Sequence, residues 1–397
     1  MVKRKICIFT GTRAEYGLLK PLMTEIKKDN ELELQLVVSG MHLSKEFGLT
    51  YKEIEKDGFR IDEKVEILLS SDSETALSKA IGLGVIGCCE ACVRLKPNIV
   101  VILGDRFEAF AMAIAAMISR NPIAHLHGGE LTYGLIDEAI RHSITKMSHL
   151  HFTSTNEYRK RVIQLGENPD RVFNVGALGI DNIRRLNFLT KSTLESELHC
   201  KFNKHNLLVT YHPVTLEKND SKKQIQNLLY ALGRLKDTFI IFTKANADTE
   251  GRIINELIDE YVSENHENSI AIISMGQLNY LSTLQFIDAV VGNSSSGIIE
   301  ACSLGLPVVN IGDRQAGRVR GANVIDVNCS KAAIQKGIST ALSKAFKNKI
   351  RNAKNPYDKY GDGKTGYRIK EILKKTKISP GLIKKKFYDL SFNTVNV

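Results

Sequence analysis

The chain is built from one recurring unit: a short, β-rich apolar run, a cluster of glycine and polar residues, then a longer stretch with helical spacing. The apolar runs are Lys5–Thr10, Leu34–Ser39, Asn98–Leu103, Ile123–His127, Leu150–Ser154 and Val172–Val175, followed by Leu207–Tyr211, Thr238–Thr243, Ser269–Ile273, Ala289–Val291, Pro307–Asn310 and Asn323–Val327. Several are apolar at every position, as in Ile99-Val-Val-Ile-Leu103. Such a strand has no face to give to water, so both faces lie under helices, as in a parallel sheet. Strands alternating with helices predict right-handed βαβ units and an α/β fold. Between the two series, residues 181–206 show no strand pattern and are polar (Lys191-Ser-Thr-Leu-Glu-Ser-Glu197), which predicts a linker. The expected architecture is two doubly wound parallel-sheet domains, 1–180 and 190–365, with a cleft between them. A C-terminal helix near Thr365–Lys375 and a basic tail make up 366–397.

The net charge of +11 invites a polyanion partner, but its distribution argues otherwise. Residues 331–397 hold 17 Lys and Arg against 4 Asp and Glu, a net of +13, so the first 330 residues carry −2. No Lys-rich stripe with interleaved aromatics marks a nucleic-acid surface. The tail Lys384-Lys-Lys386 reads as a solvated extension. No uninterrupted apolar run reaches the length of about 18 residues that a membrane span needs. Ala109–Ile118 reads as a buried helix, and Lys3-Arg-Lys5 is followed by too short an apolar stretch for a signal peptide. A cytoplasmic protein that binds no membrane is expected. The seven cysteines are odd in number, and Cys89-Glu-Ala-Cys92 has no second pair at metal-site spacing, so these residues read as a buried helix face.

Most of the strands lead into chemistry-bearing residues: Gly11-Thr-Arg13, Gly40-Met-His42, Gly104-Asp-Arg106, Gly128-Gly-Glu130, His212-Pro213, Gly292-Asn-Ser-Ser-Ser-Gly297 and Gly312-Asp-Arg314. Ligands of open α/β sheets bind outside the carboxyl ends of the strands. The serine loop offers backbone N–H groups, hydroxyls and a following helix N-terminus to an anion; its other reading is a serine-capped turn. It is neither a GK[ST] loop nor a GxGxxG fingerprint. Arg13 suits a phosphate, or an ion pair with Glu15; Arg314 and Arg318 read the same way. Jointly they point to a diphosphate. Asp105, Glu130, Asp137 and Glu138 are candidate acid–base carboxylates. Helical spacing pairs Asp137 with Arg141 and Glu138 with His142, and for Glu138 that solvated pair is the preferred reading. His125 and His127 fall on one face of a strand, but a metal site needs further ligands, and none is predicted. His149 and His151 read as packing residues, and His212 as a catalytic candidate.

These motifs resemble those of the hydrolysing UDP-N-acetylglucosamine 2-epimerases of bacterial nonulosonic-acid synthesis. The resemblance rests on Gly11-Thr-Arg-Ala-Glu-Tyr-Gly17, Gly104-Asp-Arg-Phe-Glu108, His125-Leu-His-Gly-Gly-Glu130, Asp137-Glu-Ala-Ile-Arg-His-Ser-Ile-Thr-Lys146, Tyr211-His-Pro-Val-Thr215, Gly292-Asn-Ser-Ser-Ser-Gly297, Gly312-Asp-Arg-Gln-Ala-Gly-Arg318 and Tyr360-Gly-Asp-Gly363, in order from about residue 5 to 375. It implies the GT-B architecture: two Rossmann-like domains with the active site between them. It implies removal of the sugar C2 proton, anti elimination of UDP to a glycal, and water addition to give N-acetylmannosamine, with no cofactor and no metal. By position, Asp105 and Asp137 match catalytic carboxylates and His212 the histidine near the phosphates. Arg106 matches a sugar-site residue; Ser294, Ser295 and Arg314 match phosphate contacts; Glu300 matches the ribose-hydroxyl acceptor. Where many relatives have a catalytic Glu this chain has His127, so that role falls to His127 or Glu130. The expected partner is a nucleotide-sugar substrate, and the expected assembly a homo-oligomer, dimer or tetramer.

Rival readings are the same chemistry on a UDP- or GDP-linked 2,4-diacetamido-2,4,6-trideoxyhexose, with Gly40–Ser44 and Thr132–Gly134 near the discriminating C4 and C6, and a non-hydrolysing epimerase. From other classes come a GT-B glycosyltransferase and a basic-tail binding protein.

Overall fold

The computed structural model describes residues 3–71, 73–214, 220–246 and 250–391. Thr215 and the last six residues of the tail, 392–397, lie outside the described residues. The first half forms a seven-stranded parallel sheet of β1 (Arg4–Thr10), β2 (Leu32–Ser39), β3 (Glu63–Val65), β4 (Ile99–Leu103), β5 (Ile123–Leu126), β6 (Leu150–Thr153) and β7 (Val172–Asn174), in the order β3-β2-β1-β4-β5-β6-β7. The second half forms a six-stranded parallel sheet of β8 (His205–Thr210), β9 (Thr238–Thr243), β10 (Ser269–Ile272), β11 (Ala289–Gly292), β12 (Val308–Ile311) and β13 (Val324–Val327), in the order β10-β9-β8-β11-β12-β13. Strand order reverses beside the first strand of each sheet, the doubly wound arrangement that opens a crevice at the switch point. The expected two-sheet α/β architecture is present.

Two apolar cores flank each sheet, and side-chain alternation along the strands builds them. Ile6, Ile8, Ile99 and Val101 point into one core, while Cys7, Phe9, Val100 and Ile102 point into the other. In the second sheet Leu207, Val209 and Val291 face one side, Leu208 and Val290 the opposite side. Helix Arg13–Lys27 starts on a capping box: Glu15 Nα–H donates to the Thr12 hydroxyl at 3.3 Å and Thr12 N–H donates to the Glu15 carboxylate at 3.1 Å. Its buried Tyr16, Leu19, Leu22, Met23 and Ile26 recur at helical spacing, against the first sheet.

Four sequence expectations change. The polar stretch 181–206 is not a free linker. It completes helix Leu178–Arg185, whose buried Asp181 accepts the backbone N–H groups of Thr365 and Gly366 at 2.9 and 2.8 Å, and it contains helix Lys191–Glu197. Helix Phe107–Ile118 buries its alanines but leaves Met117 and Ile118 exposed. Helix Glu74–Leu95 is, by length and composition, the one helix among the described residues that could cross a membrane. It packs on the first sheet through Cys88, Ala91 and Cys92, where burial pushes the Cys88 and Cys92 thiols up to about 12 and about 11. Lys79 and Glu90 interrupt its apolar sequence.

The fourth change is the tail. Helix Thr365–Lys375 packs on helices Arg13–Lys27 and Leu178–Arg185, placing Ile369 and Leu373 in a core of the first half. Beyond it, Leu382 enters the same core, and the Lys385 ammonium donates to Ser148 O at 2.8 Å and to the buried Glu167 carboxylate at 2.9 Å. Only Lys384 and Lys386 of the predicted solvated triplet are exposed. The chain therefore crosses from the first half to the second and back again.

Candidate active site

Loops at both switch points reach one cleft: Arg13 after β1, His212 after β8, and Ser294 and Ser295 after β11. Gly104-Asp-Arg106 after β4 lies outside its lining. Gly292 makes the turn after β11 possible: its φ is +133°, and a side chain there would strike the Thr210 carbonyl. The cleft encloses about 1040 Å³, its open mouth included. Of the residues singled out in the sequence, Arg13, His127, His212, Ser294, Ser295 and Glu300 line it. The sequence reading did not single out Thr243, Lys244, Asn246, Gln277 and Tyr280, which also line it; their strand-end positions after β9 and β10 were the available signal.

The Arg13 guanidinium bridges the halves by donating to Ile273 O at 2.9 Å. It makes no pair with Glu15, whose carboxyl turns inward to accept Gly11 N–H at 2.7 Å. Burial, and the charge of Glu108 nearby, push that carboxyl up to about 8 against the pull of Arg106 and the backbone donors. Ser294 caps the short helix Ser295–Ile299, and Tyr280 O–H donates to Ser296 at 2.7 Å. Arg314 is tied to this loop through Asn293 O at 3.1 Å. Burial pushes the Glu300 carboxyl up to about 7, and its Oε2 has no partner among the described residues. Gly179 is required beside it, since a side chain there would collide with the carboxylate.

Asp105 and Glu138 belong to a second group, organised by Arg141, the largest fully buried side chain among the described residues. The Arg141 guanidinium bonds Asp105, Glu138 at 2.8 Å, the Thr132 hydroxyl at 2.8 Å and Glu130 O at 2.8 Å. Burial opposes ionisation of Glu138, but His142, Arg141 and the Thr132 N–H hold its carboxyl down at about 2. The Glu138–His142 pair forms as expected, 3.1 Å apart; that it is merely solvated is corrected, because Glu138 is half-buried and bonded to Arg141. Asp137 opens the same helix, Asp137–Met147. The Arg106 guanidinium is held by buried Glu108 at 3.1 Å. Spacing alone left Arg141 as a helix-surface pair, and the structure makes it the centre of the group.

The remaining histidines separate. β5 ends at Leu126, so His125 and His127 do not share a strand face. His125 bonds Gly104 O at 2.7 Å and Thr145 at 3.1 Å, and burial pushes it down to about 3, which keeps it neutral. His149 accepts Ile123 N–H at 3.1 Å and His151 sits 3.0 Å from Glu167, both in packing roles. His127 has a left-handed backbone, φ 64°, and a side chain in the cleft. Its Nδ1 lies 3.0 Å from Glu130, which also meets Ser154 Oγ at 2.8 Å and Arg318 Nη1 at 2.6 Å. Of the two readings of Arg318, a phosphate ligand or an ion pair, the structure shows the ion pair: the guanidinium is buried and neutralised by Glu130. Burial opposes ionisation of Glu130, but Arg318, His127 and Arg141 overcome it and hold the carboxyl far below its ordinary value. Among the described residues no three metal-ligating side chains form a cluster.

Comparison with known proteins agrees with this arrangement. A family model described as UDP-N-acetylglucosamine 2-epimerase matches residues 24–374. The chain is 49% identical over 326 residues to a "GDP/UDP-N,N'-diacetylbacillosamine 2-epimerase (hydrolyzing)" of Campylobacter jejuni, covering 82% of this chain and 85% of that one. It is 40% identical to "Polysialic acid biosynthesis protein P7" of Escherichia coli, covering 98% of each. A "UDP-N,N'-diacetylbacillosamine 2-epimerase (hydrolyzing)" of Legionella pneumophila is 38% identical, covering 94% of this chain and 96% of its own. In fold, the chain matches a Neisseria meningitidis UDP-GlcNAc 2-epimerase solved with UDP-GlcNAc at a TM-score of 0.77 and 19% identity, covering 94% of this chain and all of the other. With its two Rossmann-like sheets and the GT-B-like fold of those neighbours, the chain belongs to the UDP-N-acetylglucosamine 2-epimerase family.

Proposed function

We propose that the protein is a hydrolysing sugar-nucleotide 2-epimerase that converts UDP-N-acetylglucosamine and water to N-acetylmannosamine and UDP. The observation that carries this reading is the meeting, in one cleft, of His212, Ser294 and Ser295 from the second half with Arg13 and His127 from the first, His127 being linked through Glu130 to the Arg141 group. His212, Ser294, Ser295 and Arg13 stand at strand ends where a nucleoside diphosphate would lie, with Arg314 fixing the serine loop and Glu300 open to the ribose hydroxyls. Asp105, bonded to Arg141, and His127 with Glu130 form the sugar side on this reading, with Asp137 at the start of the Arg141 helix and Arg106, held by Glu108, assigned to it as well. On this reading residues 1–180 carry the sugar side, 190–365 the nucleotide side, and 366–397 close back on the first.

The chemistry divides accordingly. Loss of the C2 proton and departure of UDP create a C1=C2 bond; water then returns a hydroxyl to C1 and a proton to C2 on the opposite face. A positioned acid or base supplies about 10²–10⁴-fold. Enzymes lower barriers by about 8–23 kcal/mol, so most of the rest comes from holding the sugar in place and stabilising the departing diphosphate. Neither step calls for a redox cofactor or a Lewis acid.

A second reading is favoured by a specific feature. Beside the cleft, and sharing Asn246 with it, opens a chamber walled by Leu43, Phe47, Ile67, Leu69 and Phe107. Ser44, Glu46, Glu66, Ser70 and Arg252 also line the chamber. The apolar part suits a 6-methyl group and the methyl of a 4-acetamido group, and the polar part its amide, the substituents of a 2,4-diacetamido-2,4,6-trideoxyhexose, the substrate that two of the relatives above carry in their names. Incubation in deuterated water with UDP-N-acetylglucosamine, and in parallel with the UDP- and GDP-linked diacetamido sugars, decides between them. The expected products are the nucleoside diphosphate and a free sugar, inverted and deuterated at C2. Unlabelled, uninverted sugar would mean simple hydrolysis, and an intact 2-epimeric nucleotide sugar would mean a non-hydrolysing enzyme.

We also assign the protein to the cytoplasm as a homo-oligomer with no membrane or nucleic-acid partner. Leu83, Ile86 and Val93 form one exposed stripe on helix Glu74–Leu95, beside exposed Met117 and Ile118. A second copy is the partner that this surface suits.

A further inference from the structure

Glu130 is buried yet fully engaged, whereas His127 keeps one ring nitrogen unused. The His127 Nε2 is buried, has no hydrogen-bond partner among the described residues, and belongs to a side chain that lines the cleft with His212, Ser294 and Glu300. Its other nitrogen faces Glu130 at 3.0 Å. Its backbone lies in the left-handed region that a residue with a side chain seldom adopts, and its N–H is tied to Phe152 O at 2.8 Å. Strain of this kind persists where surrounding structure enforces it, and here it swings the ring out of the β5 line and into the cleft. Glu130 is enforced in turn by Ser154 and by Arg318, which comes from the opposite half. Arg318 cannot drift: the next residue, Val319, donates its N–H to Tyr158 O–H at 2.9 Å and accepts from Tyr357 O–H at 2.9 Å, and the two tyrosine hydroxyls meet at 2.8 Å.

We propose that His127 is the group that takes the sugar C2 proton, that Glu130 positions it, and that Arg318 of the opposite half completes the dyad. This assignment rests on the hydrolysing-epimerase reading. Glu130 accepts a hydrogen bond from Nδ1–H, which leaves the lone pair on Nε2, the unpartnered nitrogen of a side chain that lines the cleft. In the elimination the C2–H electron pair becomes the second C1=C2 bond. The C1–O bond breaks, its electrons leave with UDP, and the proton passes to Nε2. The Glu130 carboxylate offsets the imidazolium charge, and the imidazolium gives its proton to solvent before the next turnover. Glu130 is a positioning residue, since its oxygens are occupied and it does not reach the cleft. Arg318 fixes that carboxylate and offsets part of its charge, while His127 and Arg141 also favour its ionised form.

The test is the pH dependence of kcat/KM, read by UDP release, together with deuterium incorporation at C2. The charged and titratable groups facing the dyad are Arg318, Arg141, Asp105, Glu300, Tyr158 and Tyr357; each variant alters either one member of the dyad or Arg318 alone. Glu130→Gln removes a negative charge beside His127, so the acidic limb of the profile is expected to move to lower pH. Arg318→Met removes a positive charge and is expected to move the limb to higher pH, each by about one unit. Arg318→Lys keeps the charge and is expected to restore the wild-type limb. His127→Gln is expected to lose C2 deuteration by at least about 10²-fold with KM little changed. If Arg318→Met does not fold, the Glu130→Gln shift and the His127→Gln loss carry the test. Limbs that stay put or move together, or C2 deuteration that survives in His127→Gln, overturn the dyad. A wild-type enzyme that releases no UDP from any of the candidate sugars overturns the functional reading instead.

Discussion

At the scale of single residues, the diphosphate end of the cleft rests on short polar side chains. Hydrogen bonds to a charged group are worth about 1.5–3 kcal/mol each, so Ser294→Ala combined with Ser295→Ala is expected to raise KM for the nucleotide sugar by at least about tenfold. Steady-state kinetics check this, and unchanged constants would place the diphosphate elsewhere. These serines were legible in the sequence because a local pattern carries them: strand, glycine, serines, helix. Arg141 was not, since its helix spacing suggests a surface pair and nothing local announces that Asp105, on another strand end, completes its shell. For the same reason the sequence leaves Arg318 between a phosphate ligand and an ion pair. An arginine at a strand end looks alike whether it awaits a phosphate or already holds a carboxylate from the other half of the chain.

At the scale of elements, strand positions followed from apolar runs, and the departures have local causes. β3 was missed because Glu63-Lys-Val65 is short and charged, an edge strand whose place is set by pairing with β2. β5 was drawn one residue too long because composition cannot reveal that His127 leaves the extended region. The tail was read as solvated because lysine runs usually are, and its anchor is a carboxylate far away in sequence. Glu167 is buried, and burial alone would raise its carboxyl; bonds from His151, Lys146 and Lys385 instead bring it down to about 2. A folded value below the ordinary one means that this contribution is full above about pH 4.5. It is lost as pH falls toward 2. Lys385→Met is therefore expected to cost about 1–3 kcal/mol of unfolding free energy at pH 7. The cost should shrink as pH drops from 5 to 3, with turnover unaffected. Denaturant titrations at the two pH values check this; a pH-independent cost would leave packing, not the ion pair, as the tail's anchor.

At the scale of the whole molecule, one apolar surface lies away from the cleft. If a second copy covers the stripe on helix Glu74–Leu95, the wild type is expected to run as a dimer or tetramer by light scattering, and Ile86→Glu combined with Val93→Glu as a folded monomer. An unchanged mass would remove this face from the assembly. The path of the chain has a separate consequence, for synthesis. Residues between about 357 and 388 fill a core of the first half, bond Asp181 and Glu167, and supply the tyrosine that pins Val319. A ribosome makes about 5–20 residues per second, so the first sheet emerges and then waits roughly 10–40 s for the segment that seals it. Through that interval the nascent chain exposes the surface of helix Arg13–Lys27 that helix Thr365–Lys375 will cover. Such a protein is closed from its end, and a nonsense codon late in its gene would spoil the half that was made first.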